Sequence, residues 1–486
     1  MADAVLVNPK GFKLINDQTL PFGLLYASVY ACREYEIKII DQRIDKNWKE
    51  KLIKELEKTP LIVGVTSMTG PQILDAIEIS KIAKQHNIKV VWGGIHASLT
   101  PKQTLENPNI DFVIQGEAEI TFHELLKALS GNLPLENVNG LWYKKDGQIK
   151  ANPPRSDLKL DDLPMLPYHL IEDMEKYIQI KETRGNRRSI NLFTSRGCPH
   201  QCTYCFNRQF NKGYWRQMNS KKVLEEIRHV VEKFRLENLF ILDDNFFVNL
   251  GRTKEIAQGI IDMGLDFTWD VLGAQISTLK NVDRDYCNFL AKSRCKSLLF
   301  GIESGSPRIL ELIKKDIKVE EVLAVNKMLK DTGLKAYYSF MSGFPTETKE
   351  DIQMTIDLML KLKEDNPNIE YGTVKCVVVY PGTELFEIAL KCGYKQPERL
   401  EDWAHITWGN YSKLDYPWLS KERKTMLMDL YYYSLLMNPD HLYINSKLFT
   451  TVSRLYYPVA KYRVRHLNFT LPILSRSINF VQNHFM

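Results

Sequence analysis

Short apolar runs that end on small or polar residues, each followed by a helical pattern, recur along most of this 486-residue chain. The first series reads Ala4–Val7 ending at Asn8-Pro9, Ile37–Ile40 ending at Asp41, Leu61–Thr66, Val90–Trp92 ending at Gly93-Gly94, and Phe112–Ile114 ending at Gly116-Glu117. Helical patterns occupy Ile73 to Ala83 and Phe122 to Leu129. Strands that are apolar throughout are covered on both faces, which predicts a doubly wound, Rossmann-like parallel sheet with its ligand outside the strand carboxyl ends. A second series predicts strands at 190–194, 238–242, 267–272, 297–301, 335–340 and 372–379, with helices near 220–234, 252–263, 284–292, 319–332 and 349–363. An eight-unit barrel needs about 250 residues, and 190–395 is shorter, so six units predict a partial (β/α)6 barrel open on one side. Between the two series, Asn152-Pro153-Pro154, Leu163-Pro164 and Leu166-Pro167 interrupt any regular element. Gly140 to Ile149 reads as a hairpin turning at Asp146-Gly147. The α/β chain therefore divides into residues 1–135, a linker at 136–185, the barrel at 186–396 and a mostly helical segment at 397–486.

Composition excludes several classes. No stretch of about 18 apolar residues occurs, so no membrane-spanning helix is expected. Met1 to Asn8 is strand-like and carries Asp3, unlike a secretory signal. The expectation is a cytoplasmic protein with reduced thiols. The net charge of +6 lies in the last 46 residues, where six basic residues (Lys447, Arg454, Lys461, Arg463, Arg465, Arg476) meet no acid. The rest of the chain is neutral, which argues against nucleic acid as a partner. Residues 397–486 are rich in aromatics, including Trp403, Trp408, Trp418 and Tyr431–Tyr433, and Leu427 to Met437 reads as a helix. The segment reads as a cap on the barrel's open side. Its basic and aromatic residues at 441–486 also suit peripheral contact with an anionic membrane.

Three of eight cysteines stand together as Cys198-x3-Cys202-x2-Cys205, directly after the first barrel strand. Thiolates suit iron in a four-iron cluster, where three ligands leave one iron open. Zinc is the rival, but it prefers two C-x2-C pairs or a Cys/His set. No second pair exists, and His200 lies inside the same short loop. The other five, Cys32, Cys287, Cys295, Cys376 and Cys392, read as core.

The spacing and its place after the first strand resemble the radical S-adenosylmethionine (SAM) superfamily. The resemblance implies a [4Fe-4S] cluster on Cys198, Cys202 and Cys205, with SAM chelating the open iron and cleaved reductively to a 5′-deoxyadenosyl radical. It also implies an electron donor such as ferredoxin or flavodoxin. Tyr204 fits the aromatic beside the adenine. Asp243 and Asp244 end the second strand, where the family places groups that accept the SAM amino group. Glu303 and Ser304, in Gly301-Ile302-Glu303-Ser304-Gly305, end the fourth and fit ribose or amino contacts; a tight turn is the alternative. Ser342 to Thr348 and Tyr380 to Thr383 end the fifth and sixth strands and look like signatures of one branch; Thr346 as helix cap, with Glu347 in a capping role, is the competing reading there.

That branch carries an N-terminal cobalamin-binding domain, and residues 1–130 look like one. Thr66, Ser67 and Thr69 follow the third strand, Gly93, Gly94 and His96 the fourth, and Gly116 and Glu117 the fifth. Small residues at adjacent strand ends let a bulky ligand with a phosphate approach the backbone. Many such domains ligate cobalt through a His after the first strand. Here that loop reads Asn8 to Lys13 without one, and His96 reads as a hydrogen-bonding residue on the slot's edge. The implied activity is methyl transfer to an unactivated carbon or phosphorus centre of a small or lipid-like substrate. Oxidative cyclisation or rearrangement, as in the anaerobic magnesium-protoporphyrin monomethyl ester cyclase, stays open. So does a sensor without turnover.

Overall fold

The computed structural model describes residues 2–11, 19–181, 187–406, 415–438 and 447–469. The two βα series become two seven-stranded sheets. In the first, β1 (Ala4–Asn8), β2 (Ile37–Asp41), β3 (Ile62–Thr66), β4 (Lys89–Gly93) and β5 (Phe112–Ile114) run parallel in the order β2-β1-β3-β4-β5. Every residue of β1 is buried, as a central strand covered on both faces requires. This order reverses direction between β1 and β3, so the natural crevice lies at the carboxyl ends of those two strands.

The Asp146-Gly147 hairpin forms, from β6 (Leu141–Lys145) and β7 (Gln148–Ala151), with both turn residues at positive φ. It does not hang free. Trp142 and Tyr143 pair antiparallel with β5, so the first sheet continues to Ala151, into the stretch read as linker.

The second sheet begins at β8 (Gln179–Lys181), antiparallel to β9 (Arg187–Leu192). A short ribbon follows, β10 (Ser195–Arg196) with β11 (Arg216–Gln217). Then come β12 (Asn238–Ile241), β13 (Thr268–Ala274), β14 (Cys295–Glu303), β15 (Lys335–Ser342) and β16 (Glu370–Cys376). From β9 through β12 to β16 the neighbours are parallel and follow chain order, with no reversal. All six carboxyl ends therefore meet at one rim of a half-barrel. The intervening helices, among them Ser220–Phe234, Arg284–Lys292 and Lys349–Asp365, stand where the pattern places them.

The helix Lys421–Leu436 packs on β16, and Ser434 Oγ accepts the Val374 N–H at 3.0 Å, which blunts that edge of the sheet. Helix Lys447–Arg465 lies against helices 421–436 and 349–365. Before them, the turn Leu400–His405 reaches back to the first domain. Trp403 Nε1 donates to Gln103 Oε1 at 2.7 Å, and Asn107 Nδ2 to Glu401 Oε1 at 3.0 Å. Among the described residues no helix is long and apolar enough to cross a membrane.

Three local readings are corrected. The cap of helix 349–365 is Thr348, in a reciprocal box with Asp351, not Thr346, which has φ +62°. Glu347 is buried instead, accepting from Ser342 Oγ and the Gly343 N–H. Cys287, Cys295 and Cys376 are core, but Cys32 and Cys392 are half-buried residues at helix ends. Trp408, Tyr443, Arg476, Pro472, Phe480 and Phe485 lie outside the described residues.

Candidate active site

The cysteine loop leaves β10 at Gly197 and enters the one-turn helix Asn207–Phe210. Its course is fixed at both flanks. Thr203 donates its N–H to the Ile313 carbonyl at 2.9 Å and accepts from the Leu385 N–H at 2.8 Å, tying the loop to the segments after β14 and β16. Gly197 sits at φ +88°, and a Cβ there would stand 2.0 Å from the Tyr214 carbonyl oxygen. Cys198 and Cys205 are half-buried and Cys202 is buried. Burial first, then the neighbouring thiols and Asp244, push Cys198 up to about 11 and Cys205 up to about 12, so these groups need a metal to be held as thiolates. Among the described residues no three His, Cys, Asp or Glu side chains converge on a single ion. Thiols at three corners of a cubane bind three different irons and have no need to converge.

Around this loop the adjacent acids part company. Asp243 is fully engaged: Oδ1 accepts the Thr194 N–H at 2.6 Å, and Oδ2 accepts Thr194 Oγ1 at 2.6 Å and Ser195 Oγ at 2.5 Å. It secures the strand that leads into the cysteines. Asp244 accepts the Gly197 N–H at 3.0 Å and stays exposed to solvent. Burial raises its pKa against the pull of Asn207 and Gly197. The next residue, Asn245, is fully buried, and neither atom of its amide has a protein partner. Thr203 Oγ1, inside the cysteine loop, is likewise orphaned. Polar atoms left this way beside the thiols suit a polar group bound at the rim.

At the end of β14 the register slips between Gly301 and Glu303, and Glu303 takes φ +70°, which re-aims its carboxylate. Glu303 Oε1 accepts from Tyr204 OH at 3.1 Å and lies 3.5 Å from Lys315 Nζ. Burial works against the charge on Lys315, but Glu303 and all three cysteines outweigh it, and its pKa rises. Lys315 is thus a buried cation beside the thiols. Sequence reasoning missed it, because Lys314-Lys315 reads as a solvated pair. Ser304 is the reverse case. It is fully buried, with Oγ 3.1 Å from Thr355 Oγ1 and accepting the Ser306 N–H, so it builds the turn.

On the first sheet, the ends of β3, β4 and β5 are laced together. Ser67 donates both N–H and Oγ to the Gly93 carbonyl, His96 N–H donates to the Ser67 carbonyl, and Ser98 Oγ accepts the Gly116 N–H. Gly94 has φ +91° and ψ −174°, a glycine-only conformation, and a Cβ there would meet Ser67 O at 2.8 Å. At Gly93 and Gly116 a Cβ would meet nothing within 4 Å. Thr66, Thr69, Gly93, Gly94 and Gly116 are partly exposed along this open rim, a surface that fits the approach of a large ligand to the backbone. His96 does not face it. The ring is fully buried, 2.9 Å from Thr69 Oγ1 through Nδ1 and 3.2 Å from Thr100 Oγ1 through Nε2, with Trp403 edge-on at 5.7 Å. Burial lowers its pKa to about 3. It is a neutral support for Thr69. Ser67 is also buried, leaving only its backbone near the rim.

Glu117 lies in an ion-pair cluster. Oε1 accepts from Arg196 at 2.6 Å and Arg216 at 2.7 Å, while Arg196 also pairs with Glu119 at 2.6 Å and lies 4.2 Å over the Tyr26 ring. Burial opposes the Glu117 charge, but the two guanidinium groups hold its pKa down to about 2. Arg196 stands two residues before Cys198, and Glu117 follows Gly116. The cluster therefore joins the slot to the cysteine loop. Helix Ile95–Leu99 also packs on helix 207–210, just past Cys205.

A slot sheet clamped this way to a thiol-bearing half-barrel places the chain among radical SAM enzymes that carry a cobalamin domain. Family models agree: Radical SAM superfamily matches residues 192–359, and B12 binding domain matches residues 15–126. The chain belongs to the cobalamin-binding radical SAM family, and is 36% identical over 376 residues to an uncharacterized methyltransferase of Pyrococcus horikoshii, covering 76% of this chain and 78% of that one. It is 29% identical over 336 residues to the anaerobic magnesium-protoporphyrin IX monomethyl ester cyclase of Rubrivivax gelatinosus, covering 68% and 58%. Its fold matches the cobalamin-dependent radical enzyme OxsB with a TM-score of 0.76 at 16% identity, covering all of this chain and 76% of that one. The protein is a radical SAM enzyme that uses a [4Fe-4S] cluster, SAM and cobalamin.

Proposed function

We propose that this enzyme transfers a methyl group to an unactivated carbon or phosphorus centre of a small molecule. The observation that carries the reading is the joining of the slot to the cysteine loop through Glu117, Arg196 and Arg216, together with the likeness to a methyltransferase over three quarters of the chain. Cys198, Cys202 and Cys205 hold the cluster. Tyr204, Asp244 and Glu303 face SAM, with Lys315 balancing Glu303. Thr66, Thr69, Gly93, Gly94 and Gly116 form the cobalamin rim, and Ser67 and His96 brace it from behind. When bound, the cluster supplies an electron to SAM and cobalamin supplies a carrier for the methyl group. Asp244 offers an anionic oxygen to an ammonium at the rim, and the Tyr204 hydroxyl is held in place by Glu303.

The likeness to the cyclase of Rubrivivax gelatinosus favours a second reading, oxidative cyclisation without methyl transfer. Anaerobic incubation of the loaded enzyme with reductant, SAM and candidate substrates separates the two. Methyl transfer should yield S-adenosylhomocysteine alongside 5′-deoxyadenosine, in about equal amounts. 5′-Deoxyadenosine alone, over repeated turnovers, would replace this reading with the cyclase one.

A further inference from the structure

Helix Lys447–Arg465 has two faces. Ser453, Ala460 and Val464 are buried against the protein. The other side carries Leu448 (75% exposed), Val452 (44%), Leu455 (79%), Val459 (42%) and Tyr462 (60%). These five alternate at spacings of four and three, so at 100° per residue they fall within an arc of about 80°. Half of the large apolar side chains that stand exposed among the described residues are in this one stripe. Arg454, Lys461 and Arg465, all exposed, lie together on one flank of the same helix, about 100–140° round from the centre of the stripe. From Lys447 to Arg465 there is no acidic residue. The helix thus packs on helices 421–436 and 349–365 with one face and presents an ordered apolar row to solvent with another.

We infer that this stripe is a docking surface for an anionic lipid bilayer, with Leu448, Val452, Leu455, Val459 and Tyr462 entering the interface and the basic flank lying over the headgroups. The charge decides the occupant. A second copy would fit the apolar spacing, but it would bring like-charged flanks together with no acid on either helix to pair them. A lipid surface is anionic where this helix is purely basic, and a helix with an apolar face flanked by Lys and Arg is the kind that lies in such an interface. Pro458 is exposed within the helix and off the buried face, so it leaves the stripe continuous.

The test is cosedimentation of the loaded full-length enzyme with vesicles of mixed phosphatidylglycerol and phosphatidylcholine, against phosphatidylcholine alone. Binding is expected only to the anionic vesicles. It should fall about tenfold when salt is raised from about 0.1 M to about 1 M, where the Debye length shrinks to about 3 Å. L448S/L455S changes only exposed positions; it should abolish sedimentation while leaving iron content and the oligomeric state unchanged. K461E/R465E should do the same. Four results overturn the proposal: no binding to either vesicle, binding undiminished in both variants, a dimer that L448S/L455S dissociates, or vesicle binding seen only in a chain ending at Phe469. The third would assign the stripe to a second copy, and the last to the chain's own residues 470–486.

Discussion

At the barrel rim, what gathers is sulfur and oxygen: the half-buried thiols of Cys198 and Cys205, the Tyr204 hydroxyl bonded to Glu303, and the Asp244 carboxylate. At the slot rim, what faces the opening is backbone, at Gly93 and Gly116, where side chains are missing. Its buried polar side chains brace it from within: Ser67 and Ser98 bond the backbone of Gly93 and Gly116, and His96 bonds Thr69. The two rims answer different demands. Iron needs donors of a given chemical type, whereas a broad macrocycle needs room and a rigid floor. One rim therefore depends on what its side chains are, and the other on what they leave empty.

Exchanging the two kinds of change sharpens that contrast. Cys198→Ala should lose nearly all of the about four irons and four sulfides per chain after anaerobic reconstitution, with cobalamin binding retained; iron and sulfide assays beside the cobalamin absorbance check this. Glu117→Gln acts on the joint between the rims. It leaves Arg196 and Arg216 short of a buried partner and should cost about 3–5 kcal/mol of unfolding free energy. Glu117 has a lowered folded pKa, so its contribution is fully present above the unfolded value of about 4.3 and is lost as pH falls toward about 2. The stability gap between the two proteins should hold from pH 7 to 5 and close below it, as denaturant titrations at each pH would show. Gly94→Ala forces a side chain into a glycine-only conformation, at about 1–3 kcal/mol. Cobalamin affinity should drop about tenfold or more while iron content stays whole. Should the iron fall in parallel, the rims are not separable. His96→Gln is expected to have the smallest effect, weakening cobalamin binding a few-fold by loosening Thr69. The electron paramagnetic resonance pattern of the cobalt(II) form should not change, and because His96 stays neutral, affinity should be flat between pH 5 and 8.

The architecture was legible because parallel strands buried on both faces leave a run of apolar residues that few other structures need. The cysteines were legible because their chemistry resides in residue type. The sequence could not separate Asp243 from Asp244. Neighbours of identical type point different ways, and only the fold decides which one bonds Thr194 and which stays exposed to solvent. The ion pairs of Glu117 were hidden for a related reason: its partners are 79 and 99 residues away, and no local pattern records an ion pair made across a domain boundary. The hairpin was visible in its Asp-Gly turn, but its docking on β5 was not, since edge pairing uses backbone groups that every sequence has. The apolar stripe on helix 447–465 escaped notice because aromatic residues drew attention, while the exposed row is mostly leucine and valine.

The turn at Leu400–His405 carries a consequence for how the enzyme is made. Trp403 forms the wall behind His96 and bonds Gln103, although 300 residues of chain separate that pair. At about 5–20 residues per second of translation, a ribosome delivers this tryptophan roughly 15–60 seconds after Gln103, its partner in the slot domain. During that interval the first sheet exists without the aromatic that braces His96. The last brace of the slot rim is thereby set late in biosynthesis, once the barrel has been made and its tail has returned to the beginning.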